Sequence, residues 1–229
     1  MAHLGVPHGE DALTWNVFRS ADLGGRLEVV QRFFALKSTI DELLFWGCDP
    51  DGKSELQQRL SILIRELDGK RKGNITEIDL AIITRTEVCF VEIKLKSYAT
   101  PWTASEDKER VADGKTPGWQ KRWADYRQAG FDLPPAPSES EKHVYQLVRN
   151  AVYAKRLADD LGKQVARVCS LMSRSRVDIY PIVLEQYENF KRVCPFLIVD
   201  PILYWEDLPD FDPEVSRKLQ ETLDRLRDA

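Results

Sequence analysis

Histidine is scarce in this chain: 229 residues carry only three, beside four cysteines. Cys48, Cys89, Cys169 and Cys194 are scattered, with no C-x-x-C pair. A zinc site of the Cys/His kind is therefore not expected, and any metal chemistry would fall to carboxylates. Three of the cysteines lie in apolar runs and read as reduced, buried thiols of a cytoplasmic protein. No apolar run reaches the ~18 residues of a membrane span, so no membrane association is expected. The N-terminal "MAHLGVPHGED" lacks both a basic and an apolar signal region, which argues against secretion. An excess of positive charge is missing too, since the formal net charge is −4. A polyanion would have to be held by a local basic patch. Internal repeats are absent.

What is present is a core. At 43% hydrophobic and 31% charged the composition is that of an ordinary globular protein. Periodicity predicts helices over Gly9–Ala21, Arg26–Ser38 and from Ser54, where Leu56, Leu60, Leu63, Ile64 and Leu67 form a stripe. Ser54 with Gln57 reads as a capping box. Asp41–Gly47 is expected as a short strand and "DPDGK" as a turn. A long helix is expected over Glu141–Gly162, ended by its glycine. Strand Gln164–Met172 follows, then a helix after Pro181, a short strand in "PFLIVDPILYW", and an amphipathic last helix with Val215, Leu219, Leu223 and Leu226 on one side. Mixed strands and helices of this order predict an α/β domain with a mixed sheet. One domain over 1–229 is expected, with N-terminal helices and a first strand in 1–76, a core in 77–172 and a helical extension in 173–229. The core would carry an inserted polar loop over 98–140.

The stretch "EIDLAIITRTEVCFVEIKLKS", Glu77 to Ser97, is two apolar runs around a polar turn, yet Asp79, Glu92 and Lys94 sit inside the runs. With Arg85-Thr86 as the turn, Ile83 faces Val88, Ala81 faces Phe90, Asp79 faces Glu92 and Glu77 faces Lys94. Ile78, Leu80 and Ile82 would share the other face with Cys89, Val91, Ile93 and Leu95. Both faces are apolar, so the hairpin belongs in the middle of a covered sheet. Two carboxylates with Cβ atoms ~5 Å apart repel by roughly 3 kcal/mol at an effective dielectric of about 20. A divalent cation compensates such a pair, and clustered carboxylate oxygens suit Mg²⁺ or Mn²⁺. The plainer account is a cross-strand salt bridge, Glu77 to Lys94, with Asp79 reaching solvent.

Those residues resemble the core of the PD-(D/E)XK nuclease superfamily, in particular its Holliday-junction-resolvase-like and RecB-like branches. The matching elements are the strand Glu77-Ile78-Asp79 and the strand Val91-Glu92-Ile93-Lys94. The proline of the family name is absent, Ile78 standing before Asp79. The resemblance implies a restriction-endonuclease-like α-β-β-β-α-β core that cleaves phosphodiester bonds with Mg²⁺. It implies that Asp79, Glu92 and the Ile93 carbonyl hold the cation, and that Lys94 orients the attacking water or steadies the developing charge.

A further acid on the first helix belongs to the family pattern. Glu10 shares a face with Leu13, Thr14 and Val17, where a carboxylate needs a reason. Glu55 has a surface explanation beside the cap Ser54 and Arg59. Glu10 is preferred and Glu55 stays open. On the helix after the hairpin, Gln146, Arg149, Asn150 and Tyr153 form a polar stripe. RecB-like nucleases carry Gln-x-x-x-Tyr there; Gln146 fits, while position 150 is Asn. The alternative is a solvated helix face. Arg149, Arg174 and Arg176 are candidate phosphate contacts, and Lys121 and Arg122 lie in "KTPGWQKRWADYRQ", which interleaves aromatic and basic residues. There the plainer reading packs Trp119, Trp123 and Tyr126 inward. The expected partner is nucleic acid, DNA rather than RNA, with a homodimer or a larger defence or repair complex left open. The rival readings are a non-cleaving binding or regulatory protein with an inherited nuclease fold, and a defence-system subunit active only with a partner.

Overall fold

The computed structural model describes residues 10–68, 78–95, 100–104, 116–135, 137–210 and 212–227, the last without the side chains of Leu226 and Arg227. Glu77 lies outside these residues, as does the side chain of Arg176. The first helix, α1, runs over 10–23: an α segment Glu10–Thr14, a π segment Trp15–Arg19 and an α segment Ser20–Leu23. Helix α2 covers Leu27–Phe33. The sequence pattern predicts it to reach Ser38, but the chain turns at Ala35, whose φ is 48°. A left-handed residue ends a helix because its N–H and carbonyl leave the helix axis.

Strand β1 (Ile40–Phe45) is followed by α3 (Glu55–Asp68) and then by the hairpin β2 (Leu80–Thr84) and β3 (Glu87–Lys94). Ser54 caps α3, its Oγ accepting from the Leu56 and Gln57 N–H groups. The second half of the expected box is rewired. Gln57 Oε1 accepts from Asp49 N–H, while Ser54 N–H turns to Asp49 Oδ2. Beyond the hairpin come α4 (Gly118–Gln128), α5 (Glu139–Lys142) and α6 (Tyr145–Asp160). The single helix expected over Glu141–Gly162 is thus broken. Gln146 N–H donates to the Trp102 carbonyl, and the Lys142 carbonyl accepts from Ala104 N–H, so a neighbouring segment takes up the hydrogen bonds of one turn. Gly162, with φ of 63°, closes α6 as expected. Then follow β4 (Val165–Met172), α7 (Arg174–Ile179), α8 (Ile182–Val193), β5 (Ile198–Val199), β6 (Leu203–Tyr204) and α9 (Pro213–Arg227).

The sheet has the order β1-β2-β3-β4-β5, with β6 also on β4. β1, β2 and β3 are antiparallel in turn; β3 and β4 run parallel, as do β4 with β5 and β6. This is the mixed α/β architecture of a restriction-endonuclease-like fold. Leu80 pairs with Val91, Ala81 with Phe90 and Ile83 with Val88, which is the register of a two-residue turn. Alternation along the strands then feeds two cores. One joins Leu44, Ala81, Ile83, Val88 and Phe90 to α3 and α6. The other joins Leu43, Phe45, Leu80, Ile82, Cys89, Val91 and Ile93 to α1 and α9. Ile78 is a correction: it packs with the first core, not with Leu80 and Ile82. The chain bends at Asp79, before the strand proper begins, and the period of two stops there.

Candidate active site

The hairpin and α6 meet α1 where β3 ends. Because β3 is parallel to β4, the C-terminal ends of both strands lie along one border of the sheet, with Lys94 beside Met172. β1 is parallel to β3, so its last residue also reaches that border, and Phe45 pairs with Leu80. Helix α6 covers one face and α1 the other, so a residue from each can reach the end of β3.

Glu92 is 3% exposed, which for a carboxylate demands partners. It has them: Lys94 Nζ lies 2.7 Å from Oε1, and Asn150 Nδ2 donates to Oε2 at 2.7 Å. Burial alone would raise its pKa, but Lys94, then Arg149, and the hydrogen bonds from Lys94 and Asn150 bring it below the ordinary carboxylate value. Asp79 is the other half of the pair. Its Oδ2 accepts from Ile93 N–H at 2.8 Å. Burial, and next the Glu92 charge, push its pKa well above the ordinary value despite Lys94. In this crowded pair Glu92 therefore keeps the charge and Asp79 holds a proton more tightly. Glu10 comes from α1 and wraps the end of β3: Oε2 accepts from Leu95 N–H at 2.8 Å, and Oε1 stands 4.0 Å from Lys94 Nζ. Burial raises its pKa too, with Lys94 opposing. Its side chain keeps 34% exposure, so solvent moderates that shift. Lys94 is held protonated: burial favours the neutral amine, but Glu92, Asp79 and Glu10 outweigh it.

Three acids and a lysine thus converge at one strand end. Glu55, the alternative to Glu10, is exposed on α3. Arg149 acts on Glu92 through its charge and Gln146 lies one turn before Asn150 on α6; Gln146 Oε1, Arg149 Nε and Asn150 Oδ1 are buried with no hydrogen-bond partner among the described residues. Asn150 is the residue that sequence reasoning undervalued. Its signal is its place four residues after Gln146 on the polar stripe, where the RecB-like pattern has tyrosine. Ser170 on β4 also contributes, donating to the Glu92 carbonyl at 3.2 Å.

The candidate phosphate contacts divide. Arg149 is turned into the site rather than outward, its charge acting on Glu92. Arg174 is at the same sheet border, but its guanidinium lies 4.2 Å from the Tyr204 ring centre and 2.6 Å from Asp207 Oδ2. Arg122 donates to the Tyr145 hydroxyl and covers that ring at 5.3 Å. Trp119, Trp123 and Tyr126 are buried, the inward packing of the plainer reading, and Lys121 is exposed. Arg176 has no described side chain.

Asp79, Glu92 and Glu10 offer hard oxygens, the donor type of Mg²⁺ and Mn²⁺. Asp79 Oδ1 accepts no hydrogen bond among the described residues. The three carboxylates do not close to within 4.8 Å as a set, since Lys94 stands between Glu92 and Glu10. The one set of that compactness among the described residues is Cys89, Cys169 and Asp200. Arg167 grips both oxygens of Asp200, at 2.9 and 2.7 Å, and burial pushes the Cys169 thiol up. Those groups are occupied as a buried ion pair and two thiols. A cavity of about 320 Å³ at the other end of β4, lined by Lys155, Lys163 and Phe196 among others, holds no comparable acidic set.

No curated protein and no solved structure matches the chain. The family described as Restriction Endonuclease associating with ARP matches residues 49–200. That span runs from the turn before α3 through β5 and contains Asp79, Glu92, Lys94, Gln146 and Asn150; Glu10 precedes it. With well over half of its length, and the hairpin that carries the acids, inside that pattern, the chain belongs to the family of restriction endonucleases associating with ARP.

Proposed function

We propose that this protein is a metal-dependent nuclease of the PD-(D/E)XK type that hydrolyses phosphodiester bonds, in DNA rather than RNA. The observation that carries this reading is the crowding of Asp79 and Glu92 at the end of β3, with Lys94 and Glu10 against them. A buried like-charge pair whose acidity is pushed apart is costly to keep for structure alone. A bound Mg²⁺ or Mn²⁺ would lower the pKa of a water and neutralise charge on the phosphate. Asp79, Glu92, the Ile93 carbonyl and Glu10 are the groups that would hold it. Asn150 fixes one oxygen of Glu92, and Ile93 N–H fixes one of Asp79, so both carboxylates are oriented before any ligand arrives. Lys94, kept protonated, orients the nucleophile or faces the charge that grows on the phosphate. Arg149 and Gln146 line the α6 side, and Arg174 extends the border for the substrate backbone. Incubating the purified protein with single-stranded, duplex and branched DNA, and with RNA, in Mg²⁺ or Mn²⁺ tests this. Cleavage that Asp79→Asn abolishes supports the reading; no cleavage of any substrate in either metal counts against it.

One observation favours a second reading. Both Glu92 oxygens are engaged, one by the Lys94 ammonium and one by Asn150, so a cation at Glu92 would stand against the Lys94 charge. Together with a family description that names an association with ARP, this supports a nuclease subunit that becomes active only with a partner. Cleavage by the isolated chain refutes that version.

A further inference from the structure

Six tryptophans are in the chain. Trp102, Trp119, Trp123 and Trp205 are buried, none more than 5% exposed. The remaining two, Trp15 and Trp46, are half-buried and lie together, rings stacked at 6.2 Å between centres and 13° between planes. Trp46 follows the last residue of β1 with φ of 52°, and Gly47 comes next at 75°. Phe45 and Cys48 exchange N–H to carbonyl hydrogen bonds at 2.8 Å, so Trp46 and Gly47 are the two central residues of a tight turn whose geometry sets both positive φ values and holds the indole at the sheet border. Trp15 opens the π segment of α1, a winding that is frequent at functional sites.

The position is telling. Trp46 N–H donates to the Asp79 carbonyl at 3.3 Å, and its indole Nε1 donates to Asp11 Oδ1 at 3.1 Å. The ring is thus tied to the neighbours of two of the three site acids, Asp79 by backbone and Glu10 by sequence. Packing on Phe45, at 5.2 Å from Trp15 and 6.1 Å from Trp46, accounts for their inner edges but not for the exposure they keep. We propose that Trp46, backed by Trp15, is a stacking platform for one unpaired DNA base beside the scissile phosphate. This rests on the nuclease reading and narrows its substrate to single-stranded DNA or DNA with an unpaired base at the cut. In a duplex both faces of each base are covered by its neighbours, so an indole can take a base only where the stack is open.

The test uses the full chain, with Ca²⁺ in place of Mg²⁺ and a fluorescently labelled short oligodeoxynucleotide, single-stranded or as a blunt duplex. Trp46→Leu keeps an apolar but smaller side chain and loses the π face; Trp46→Phe keeps a smaller π face. Both keep the turn position and lose the indole hydrogen bond to Asp11, so circular dichroism and thermal midpoints of the two should agree. Trp46→Leu should weaken single-strand binding by about 5- to 150-fold, and Trp46→Phe should restore most of it. Duplex affinity should be the same in all three proteins. Equal single-strand affinity in wild type and Trp46→Leu, or equal losses on both DNA forms, overturns the platform and leaves the nuclease standing. A wild type that binds neither form, and cuts nothing in Mg²⁺, overturns both.

Discussion

Replacing Asp79 by asparagine should make the metal-free protein more stable, while ending its response to metal. Asp79 sits at the bend before β2 with its Oδ2 on Ile93 N–H, beside Glu92, whose charge raises its pKa after burial does. Two unit charges about 5 Å apart repel by roughly 3 kcal/mol at an effective dielectric of about 20, which sets the scale of the crowding. Lys94, closer to Glu92 than to any other acid in the site, offsets part of this. A net gain of about 1–2 kcal/mol is the reasonable size, which in a chain of this length moves the thermal midpoint up by roughly 2–8 °C. The Asn carbonyl oxygen can still accept from Ile93 N–H, so the hydrogen bond is kept. The pH dependence has a definite sign. Folding raises the Asp79 pKa, so the native state binds its proton more tightly than the unfolded chain does. Wild-type stability from this group is therefore highest below the unfolded value of ~3.9 and falls as pH climbs through the folded pKa. Asparagine lacks that loss. Its advantage should be small near pH 4 and grow toward neutral pH and above. Differential scanning calorimetry of both proteins, with chelator and with millimolar Mg²⁺, reads all of this. Mg²⁺ should raise the wild-type midpoint and leave the variant unmoved. An Asp79→Asn protein that is less stable than wild type at neutral pH without metal would refute the crowding argument. It would show that the charged hydrogen bond to Ile93 outweighs the repulsion.

Lys94→Ala should still bind metal but lose turnover by about 10²–10³, measured as single-turnover cleavage beside a metal titration. Near wild-type cutting would reduce Lys94 to a salt-bridge partner of Glu92. Glu10→Gln should lose most cleavage and stay folded, whereas Glu55→Gln should keep it; the opposite pattern moves the third acid to α3. Asn150→Ala should cost about 1.5–3 kcal/mol in urea unfolding at neutral pH, because Glu92 loses a charge-assisted hydrogen bond while buried. A variant with unchanged stability would mean that Asn150 does not hold Glu92 in solution.

The hairpin was legible in the sequence because period-two alternation ran through both strands without interruption and the turn was short enough to set one register. The strand Gln164–Met172 was legible as an apolar run after a long helix, and a helix of that length leaves room for the crossover that its parallel pairing with β3 needs. What failed to show was every place where a tertiary contact overrode local pattern. The Glu141–Gly162 periodicity is continuous in sequence, yet the carbonyl of Trp102 competes for the N–H of Gln146 and breaks the helix. Nothing in the helix's own residues announces a competitor so far upstream. Ile78 carries the same alternation as Leu80, but a bend at Asp79 turns it to the other core. That bend accompanies the carboxylate's hydrogen bond to Ile93 N–H.

The site shows the same division. Asp79, Glu92 and Lys94 stood out because charge inside an apolar run is costly unless something compensates it, and that argument needs no structure. Glu10 stood out for the same reason on α1. Trp46 and Asn150 did not. A tryptophan after a strand is ordinary in composition; only its stacked partner on a π turn and its hydrogen bond to the backbone of Asp79 make it unusual. Asn150 was visible as a polar residue on a helix face, but a solvated face explains such a residue equally well until it is seen to be fully buried against Glu92. Charges betray themselves in a sequence because their burial has one large cost. Neutral polar and aromatic groups carry no such cost, so their part in a site is decided by geometry alone.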